Sequence, residues 1–255
     1  MTIRVRLAII FMAAVSLMLA IALYGPIPQD LRYHQFADNQ SAAGIANGWS
    51  VLSNIPFLIV GLFGLVALER NDSAVGDAGV LQISRLFFTG LMLTAFGSAY
   101  YHLAPTNESL MWDRIPMSIS FMAFFCFVLA MHINKRTGII LLWPLLGLGL
   151  ASVLYWSYTE SIGNGDLRFY IVVQFLPVVL IPLILAIFPT RSYQSSFIWL
   201  IIGLYVFAKL LEFYDQPLYD MINIGGHTLK HIVASLTGIV FLKALNSTSQ
   251  SGQGT

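Results

Sequence analysis

Long uninterrupted apolar runs, separated by short polar segments, dominate this chain of 255 residues. A helix that crosses the lipid core of a membrane needs roughly 17–25 mostly apolar residues. By that rule the pattern predicts eight spanning helices, at residues 7–24, 50–69, 83–103, 114–133, 138–157, 169–188, 195–212 and 225–244. The runs are continuous and do not alternate as the strands of a β-barrel would, so helices are the predicted spanning elements.

Polar segments such as GPIPQD and APTNESLMWD separate the runs. The pattern predicts an all-α integral membrane protein with eight transmembrane helices. We expect an N-terminal helix at residues 1–24, an extracytoplasmic loop at 25–49, the other seven spans at 50–244 and a disordered polar tail at 245–255. The first run follows Arg4 and Arg6, as in a signal peptide or signal anchor. This apolar run is longer than that of a signal peptide, which has about 7–15 residues, and its length favours a helix that is retained in the mature protein.

Composition supports a membrane protein and excludes other classes. Hydrophobic residues make up 57% of the chain and charged residues 10%, against about 25% charged residues in a typical soluble domain. The formal net charge of +1 argues against a nucleic-acid partner. Cys126 is the single cysteine, which rules out an intramolecular disulfide and a cysteine zinc site.

The distribution of lysine and arginine predicts the orientation, because these residues concentrate on the cytoplasmic side of membrane proteins. With both termini cytoplasmic, that side holds Arg4, Arg6, Arg70, Arg85, Lys135, Arg136, Arg191 and Lys243. The other side holds Arg32, Arg114, Arg168, Lys209 and Lys230. This topology, which was set without the histidines, brings three of them to the extracytoplasmic face.

Those three histidines form a candidate metal site. His227 and His231 are four residues apart and therefore share one face of a helix. His102, at the end of another predicted span, would complete a set of three protein ligands. Catalytic zinc commonly has three protein ligands and an open fourth position. Ionisable groups are costly in lipid, so such a cluster is a functional-site hypothesis.

Two polar residues are candidate catalytic groups beside this site. Asp113, at the head of the next run, could act as a general base towards a water molecule. Ser98 lies one turn before His102 and could orient a ligand or stabilise an oxyanion. Each of these residues could also have a purely structural role. The histidines could be packed in the protein interior, Asp113 could cap a helix that starts at Arg114, and the Ser98 hydroxyl could donate to the backbone of its own helix.

Five residues match a known pattern in order and spacing: Ser98, His102, Asp113, His227 and His231. With IANGWSVLSNIPF at residues 45–57, the similarity covers most of residues 33–243. The chain resembles the superfamily that contains the alkaline ceramidases and the progestin/adiponectin-type receptors, and is most similar to the bacterial ceramidase-like branch.

The resemblance implies that residues 50–244 form a catalytic seven-helix transmembrane bundle core, to which the N-terminal transmembrane helix is one extra element. It also implies zinc held by His102, His227 and His231, with water activated by Asp113. It implies hydrolysis of a lipid amide such as ceramide to a fatty acid and a sphingoid base, as part of sphingolipid metabolism in a bacterial inner membrane. The eukaryotic relatives bind calcium through an acidic segment that ends in a glutamate. This chain has Asn47 at that position and one nearby carboxylate, Asp38. Calcium prefers 6–8 oxygen ligands, so calcium dependence is not expected.

Other functions remain open at this stage. One alternative is a receptor or structural membrane protein without hydrolase activity, in which zinc only stabilises the fold. A haem protein and a transporter are further alternatives. The partners that we expect are a lipid amide and the bilayer, and the sequence does not indicate an oligomeric state. We also expect Lys209 to pair with Glu212, and Lys230 to point away from the site and extend its ammonium group towards the membrane surface.

Overall fold

A computed structural model of the protein describes residues 1–70, 77–189 and 193–251. Ten α-helices lie within these ranges, and no β-strand does. They are α1 (Ile3–Leu23), α2 (Gly48–Leu52), α3 (Ile55–Arg70), α4 (Ala78–Leu103), α5 (Asn107–His132), α6 (Lys135–Ser161), α7 (Arg168–Ile187), α8 (Tyr193–Phe213), α9 (Asp215–Ile222) and α10 (Gly226–Ser251). A 3-10 helix, Leu31–His34, interrupts the loop after α1.

Eight helical segments of the described residues are long and apolar enough to cross a membrane, with α2 and α3 together forming one of them. This confirms the predicted fold class, and the chain is a multi-pass membrane protein. No residue of α1 is buried, and this helix packs against α7 at the outside of the bundle. The other seven segments form the bundle, within which α5 is the most deeply buried.

An aromatic cluster fills the half of the bundle that lies away from the three histidines. The ring of Phe241, on α10, is 4.3 Å from that of Phe87 and 4.7 Å from that of Phe127, measured between centroids. Phe241 follows His231 by ten residues, a rise of about 15 Å along an α-helix. The core around Phe241 is therefore apolar and lies away from the three histidines.

Helix α5 begins earlier than the hydrophobic pattern predicts, at Asn107 instead of residue 114. Thr106 and Ser109 form a capping box: the Thr106 hydroxyl accepts from the Ser109 N–H, and the Ser109 hydroxyl accepts from the Thr106 N–H. Asp113 consequently lies in the second turn of α5. The alternative in which this carboxylate caps the helix is therefore wrong.

Two further segments differ from expectation. The stretch between the last two predicted spans contains the short helix α9, and α10 continues through Ser251, so that residues 245–251 of the predicted polar tail are helical. A helix already formed in the bundle is readily extended, because each added residue gains one backbone hydrogen bond. The remainder of the predicted tail, residues 252–255, lies outside the described residues, as does Arg191, which was used for orientation.

Candidate metal centre and active site

The structure brings the three predicted histidines together. His102 lies in the last turn of α4, and His227 and His231 lie in the first two turns of α10. All three are buried, and one ring nitrogen from each lies within 4.8 Å of the others. Their ring centroids form a nearly equilateral triangle with sides of 4.9 to 5.0 Å.

The nitrogen separation fits one tetrahedral ion. Nε2 of His102 lies 3.2 Å from Nε2 of His227. Zinc–nitrogen bonds measure about 2.0–2.1 Å, so two imidazole nitrogens on one tetrahedral zinc lie about 3.3–3.4 Å apart. The cluster provides three neutral nitrogen donors, a set that also suits other divalent metals. These residues can therefore hold a metal ion.

Ser53 orients the ring of His231. The Ser53 Oγ lies 2.8 Å from His231 Nδ1 and donates its own proton to the Ser50 carbonyl at 3.0 Å. With that proton committed, Ser53 accepts from His231 Nδ1–H. The unprotonated nitrogen of His231 is then Nε2, the atom needed for metal binding.

The break between α2 and α3 explains why this hydroxyl is available. Asn54 N–H donates to Val51 O, so the Ser50 carbonyl does not receive its usual helical partner. That carbonyl instead accepts from Ser53 Oγ and from Asn54 Nδ2. Pro56 follows in the first turn of α3, where its missing N–H is tolerated.

Asp113 and Ser98 line one cavity with His231. Ser98 is buried and Asp113 is partly buried, the Ser98 hydroxyl faces the Asp113 carboxyl, and Asp113 Oδ1 has no hydrogen-bond partner among the described residues. Gly97 permits this approach of α4 to α5, since a Cβ at that position would collide with the Trp112 carbonyl oxygen and lie 3.3 Å from the Asp113 Cα.

The cavity has a volume of about 370 Å³ and is mostly apolar. Its walls come from α4, α5, α7, α8 and α10, and include Phe121, Phe124, Ile181 and Ile202. Its polar lining is concentrated where α4 ends and α5 and α10 begin, and includes Ser98, Asp113, Arg114, Lys209, Lys230 and His231. The space thus has one end suited to polar groups and walls suited to hydrocarbon.

Lys230 does not take the predicted direction. Its Nζ bonds to Glu212 Oε1 and lies 3.3 Å from His227 Nδ1, and the side chain lines the cavity. The predicted pair of Lys209 with Glu212 is confirmed, with 2.6 Å between Nζ and Oε2. Lys230 turns inward because the Glu212 carboxylate on α8 offers it a buried partner. Glu212 Oε1 also lies 3.8 Å from His227 Nδ1.

The predicted loop before α2 covers the histidines. The ring of Phe36 packs 4.6 Å from that of His102 and 4.5 Å from that of His227, measured between centroids. Asn47 Nδ2 donates to the His102 carbonyl at 2.9 Å, and Asp215 Oδ1 accepts from the His227 N–H at 2.8 Å. No spacing in the sequence indicated that these residues meet, because their partners are distant along the chain.

The two remaining histidines lie apart from the cluster. His34 is 2.9 Å from the Tyr101 hydroxyl through Nδ1 and 2.9 Å from Asn107 Oδ1 through Nε2, which makes it a packing residue of the loop. His132 lies at the other end of α5, where Nδ1 is 3.3 Å from the Phe188 carbonyl oxygen.

Comparison with known proteins identifies the fold's relatives. A protein-family model described as Ceramidase matches residues 38–251. The match begins after α1 and includes every helix of the seven-helix bundle. No curated protein matches the chain.

Proposed function

The chain belongs to the ceramidase family, and from this premise we propose that it is a zinc-dependent intramembrane hydrolase. It would cleave the amide bond of a lipid such as ceramide and release a fatty acid and a sphingoid base. One observation carries the proposal: three buried imidazoles converge, and one of them, His231, lines the polar end of an apolar cavity together with Asp113, whose Oδ1 has no hydrogen-bond partner among the described residues. A structural zinc usually has four protein ligands, and the cluster of described residues offers three.

His102, His227 and His231 would hold the zinc ion. When bound, zinc supplies a Lewis acid for the amide carbonyl and lowers the pKa of water towards about 7. Ser53 keeps His231 in the required tautomer by accepting from its Nδ1–H. Beside His227, the Lys230 ammonium lies 3.3 Å from Nδ1, and Glu212 Oε1 lies 3.8 Å from the same atom, beyond hydrogen-bond distance.

Asp113 would act as the general base and then as the general acid. Its free Oδ1 takes a proton from the attacking water and returns that proton to the amide nitrogen as the C–N bond breaks. Ser98 faces the same carboxyl and can hold it in place or donate to the developing oxyanion. Both residues line the cavity that would hold the substrate.

The cavity suggests how a lipid amide would bind. The acyl chain would lie along the phenylalanine and isoleucine walls, and the amide would lie at the end lined by Asp113 and His231. We propose that the lipid reaches this cavity laterally from the bilayer. We also propose a bacterial inner membrane with both termini cytoplasmic and the site towards the extracytoplasmic face, following the distribution of lysine and arginine.

Purified wild type and three variants would test this function. We expect about one zinc per wild-type chain, little zinc in His227→Ala, and wild-type zinc in His132→Ala, which removes a buried histidine far from the cluster. Asp113→Asn should keep its zinc and lose about 10²–10⁴-fold in ceramide hydrolysis. Equal zinc in wild type and His227→Ala would refute the ligand assignment. No release of fatty acid by zinc-loaded wild type would instead favour the receptor alternative.

A further inference from the structure

Arg114 is a buried cation beside the candidate site. Its side chain belongs to the second turn of α5, and the residue is only 7% exposed. The guanidinium carbon lies 4.1 Å from the ring centroid of Trp156 and 4.7 Å from that of Tyr170, so the group is held between aromatic faces. Its Nη2 donates to Gln29 Oε1 at 2.6 Å. These contacts fix the group but do not neutralise its charge.

No carboxylate neutralises Arg114. Within the described residues, no acidic oxygen lies within 4.0 Å of its guanidinium. The nearby acid Glu160 is occupied by other donors: the Gln29 N–H at 2.7 Å, Trp156 Nε1 at 3.1 Å and Asn107 Nδ2 at 3.2 Å. Nη1 of Arg114 is buried and has no hydrogen-bond partner among the described residues, although the residue lines the cavity.

The neighbouring charges do not supply the missing anion. The charged residues of the cavity lining are three cations and one anion: Arg114, Lys209, Lys230 and Asp113. The two lysines share a single carboxylate, that of Glu212. An unpaired buried charge is costly, so the polar end of the cavity is suited to an anionic group of a ligand. A guanidinium binds a carboxylate through paired, charge-assisted hydrogen bonds.

We propose that the preferred substrates are lipid amides with a carboxylate close to the amide, as in an N-acyl amino acid. This proposal rests on the proposed function. Asp113 and Arg114 are consecutive residues, with Cα atoms about 3.8 Å apart, and both line the cavity, so one substrate can contact both side chains. The amide would lie at Asp113 and the carboxylate at Arg114. A lipid phosphate several bonds from the amide fits this spacing less well. Water would add to the acyl carbon as the C–N bond breaks, giving a fatty acid and a free amino acid with no redox change.

Two lipids of matched chain length would test the proposal: N-palmitoylglycine, which carries the carboxylate, and N-palmitoylethanolamine, which carries a hydroxyl in its place. Binding of each would be measured to chelator-treated full-length protein in neutral detergent, so that the result does not depend on hydrolysis. We expect wild type to bind N-palmitoylglycine about ten- to a hundredfold more tightly, the range for hydrogen bonds to a charged group. Arg114→Gln should lose this preference.

Matched variants separate recognition from a general charge effect. Arg32→Gln removes a cation whose side chain is 84% exposed, and it should keep the preference for N-palmitoylglycine. Arg114→Lys keeps the charge but lacks the planar fork, and it should keep only part of the preference. If Arg114 serves only to anchor the loop through Gln29, then Arg114→Gln will lower the melting temperature and leave the ratio of the two affinities unchanged, which would overturn the proposal.

If a variant fails to fold, measurements on wild type alone still test the proposed carboxylate preference. Equal binding of the two lipids by wild type would overturn the proposal. A zinc-loaded protein that hydrolyses ceramide and N-palmitoylethanolamine without preferring N-palmitoylglycine would also overturn it, while supporting the hydrolase function. Selective binding of N-palmitoylglycine without hydrolysis of any amide would support the anion site and contradict the hydrolase function.

Discussion

Ser53→Ala tests the environment of the metal centre more sharply than removal of a ligand does. The substitution removes one hydroxyl and leaves the three imidazoles in place. In wild type, Ser53 Oγ donates to the Ser50 carbonyl and accepts from His231 Nδ1–H at 2.8 Å. The ring of His231 can use Nε2 for a metal only while Nδ1 carries the proton. Without the hydroxyl, this buried N–H has lost its acceptor.

The size of the effect follows from that unsatisfied donor. A buried polar group that loses its partner costs about 1–3 kcal/mol, and mutation of such partners of metal ligands weakens metal affinity about 10–100-fold. Metal-free His231 can move its proton to Nε2 and avoid the cost, whereas the metal-bound ring cannot. We therefore expect Ser53→Ala to raise the Kd for zinc about 10–100-fold and to change the melting temperature of the zinc-free protein much less.

Competition with a zinc-binding dye in detergent would measure the affinity, and thermal unfolding of chelator-treated protein would measure the stability. Ser235→Ala is the matched control: its hydroxyl is also buried on α10, one turn after His231, and it donates only to the Ile232 carbonyl. Zinc affinities within about twofold of each other for the two variants, a difference of about 0.4 kcal/mol, would refute the role given to Ser53.

Gly97→Ala should destabilise the protein by about 1–3 kcal/mol, because its Cβ would collide with the Trp112 carbonyl. Gly147→Ala, where a Cβ meets no atom within 4 Å, should not. Equal melting temperatures for the two would contradict this packing. A further prediction concerns pH. Hydrogen bonds from the Arg168 guanidinium hold the pKa of Asp166 at about 2. The contact is stabilising above the unfolded pKa of about 3.9 and is lost as pH falls through about 2. Asp166→Asn should therefore lower the melting temperature at pH 6, with a difference from wild type that shrinks between pH 4 and 2; a constant difference would contradict it.

The sequence predicted the helices well because each membrane span carries its own signal. About 20 apolar residues in a row indicate a span whatever the helix packs against, and all eight predicted runs are helical in the described residues. The helix starts were harder to predict. The capping box of Thr106 and Ser109 lies in a polar segment that has no hydrophobic period, so α5 was expected to begin seven residues too late.

The surroundings of the candidate site depend on contacts between distant parts of the chain. The spacing of His227 and His231 is local and was readable, whereas Ser53 lies 178 residues from His231. The direction of Lys230 is set by Glu212, 18 residues earlier on another helix. A single sequence contains no local sign of such partners. The convergence of the three histidines was therefore predictable from the sequence, and the residues that surround them were not.

Asp113 and Arg114 connect the proposed reaction with its proposed substrate. They are consecutive residues of α5 with opposite charges, yet their charged groups do not form an ion pair within 4.0 Å. Successive residues of an α-helix point about 100° apart, so the two side chains leave α5 in different directions, although both line the cavity. Each retains an atom that has no hydrogen-bond partner in the part of the chain that the structure describes: Oδ1 of Asp113 and Nη1 of Arg114. A ligand that satisfies both must bring a proton donor to one atom and an acceptor to the other, as an attacking water and an adjacent carboxylate would.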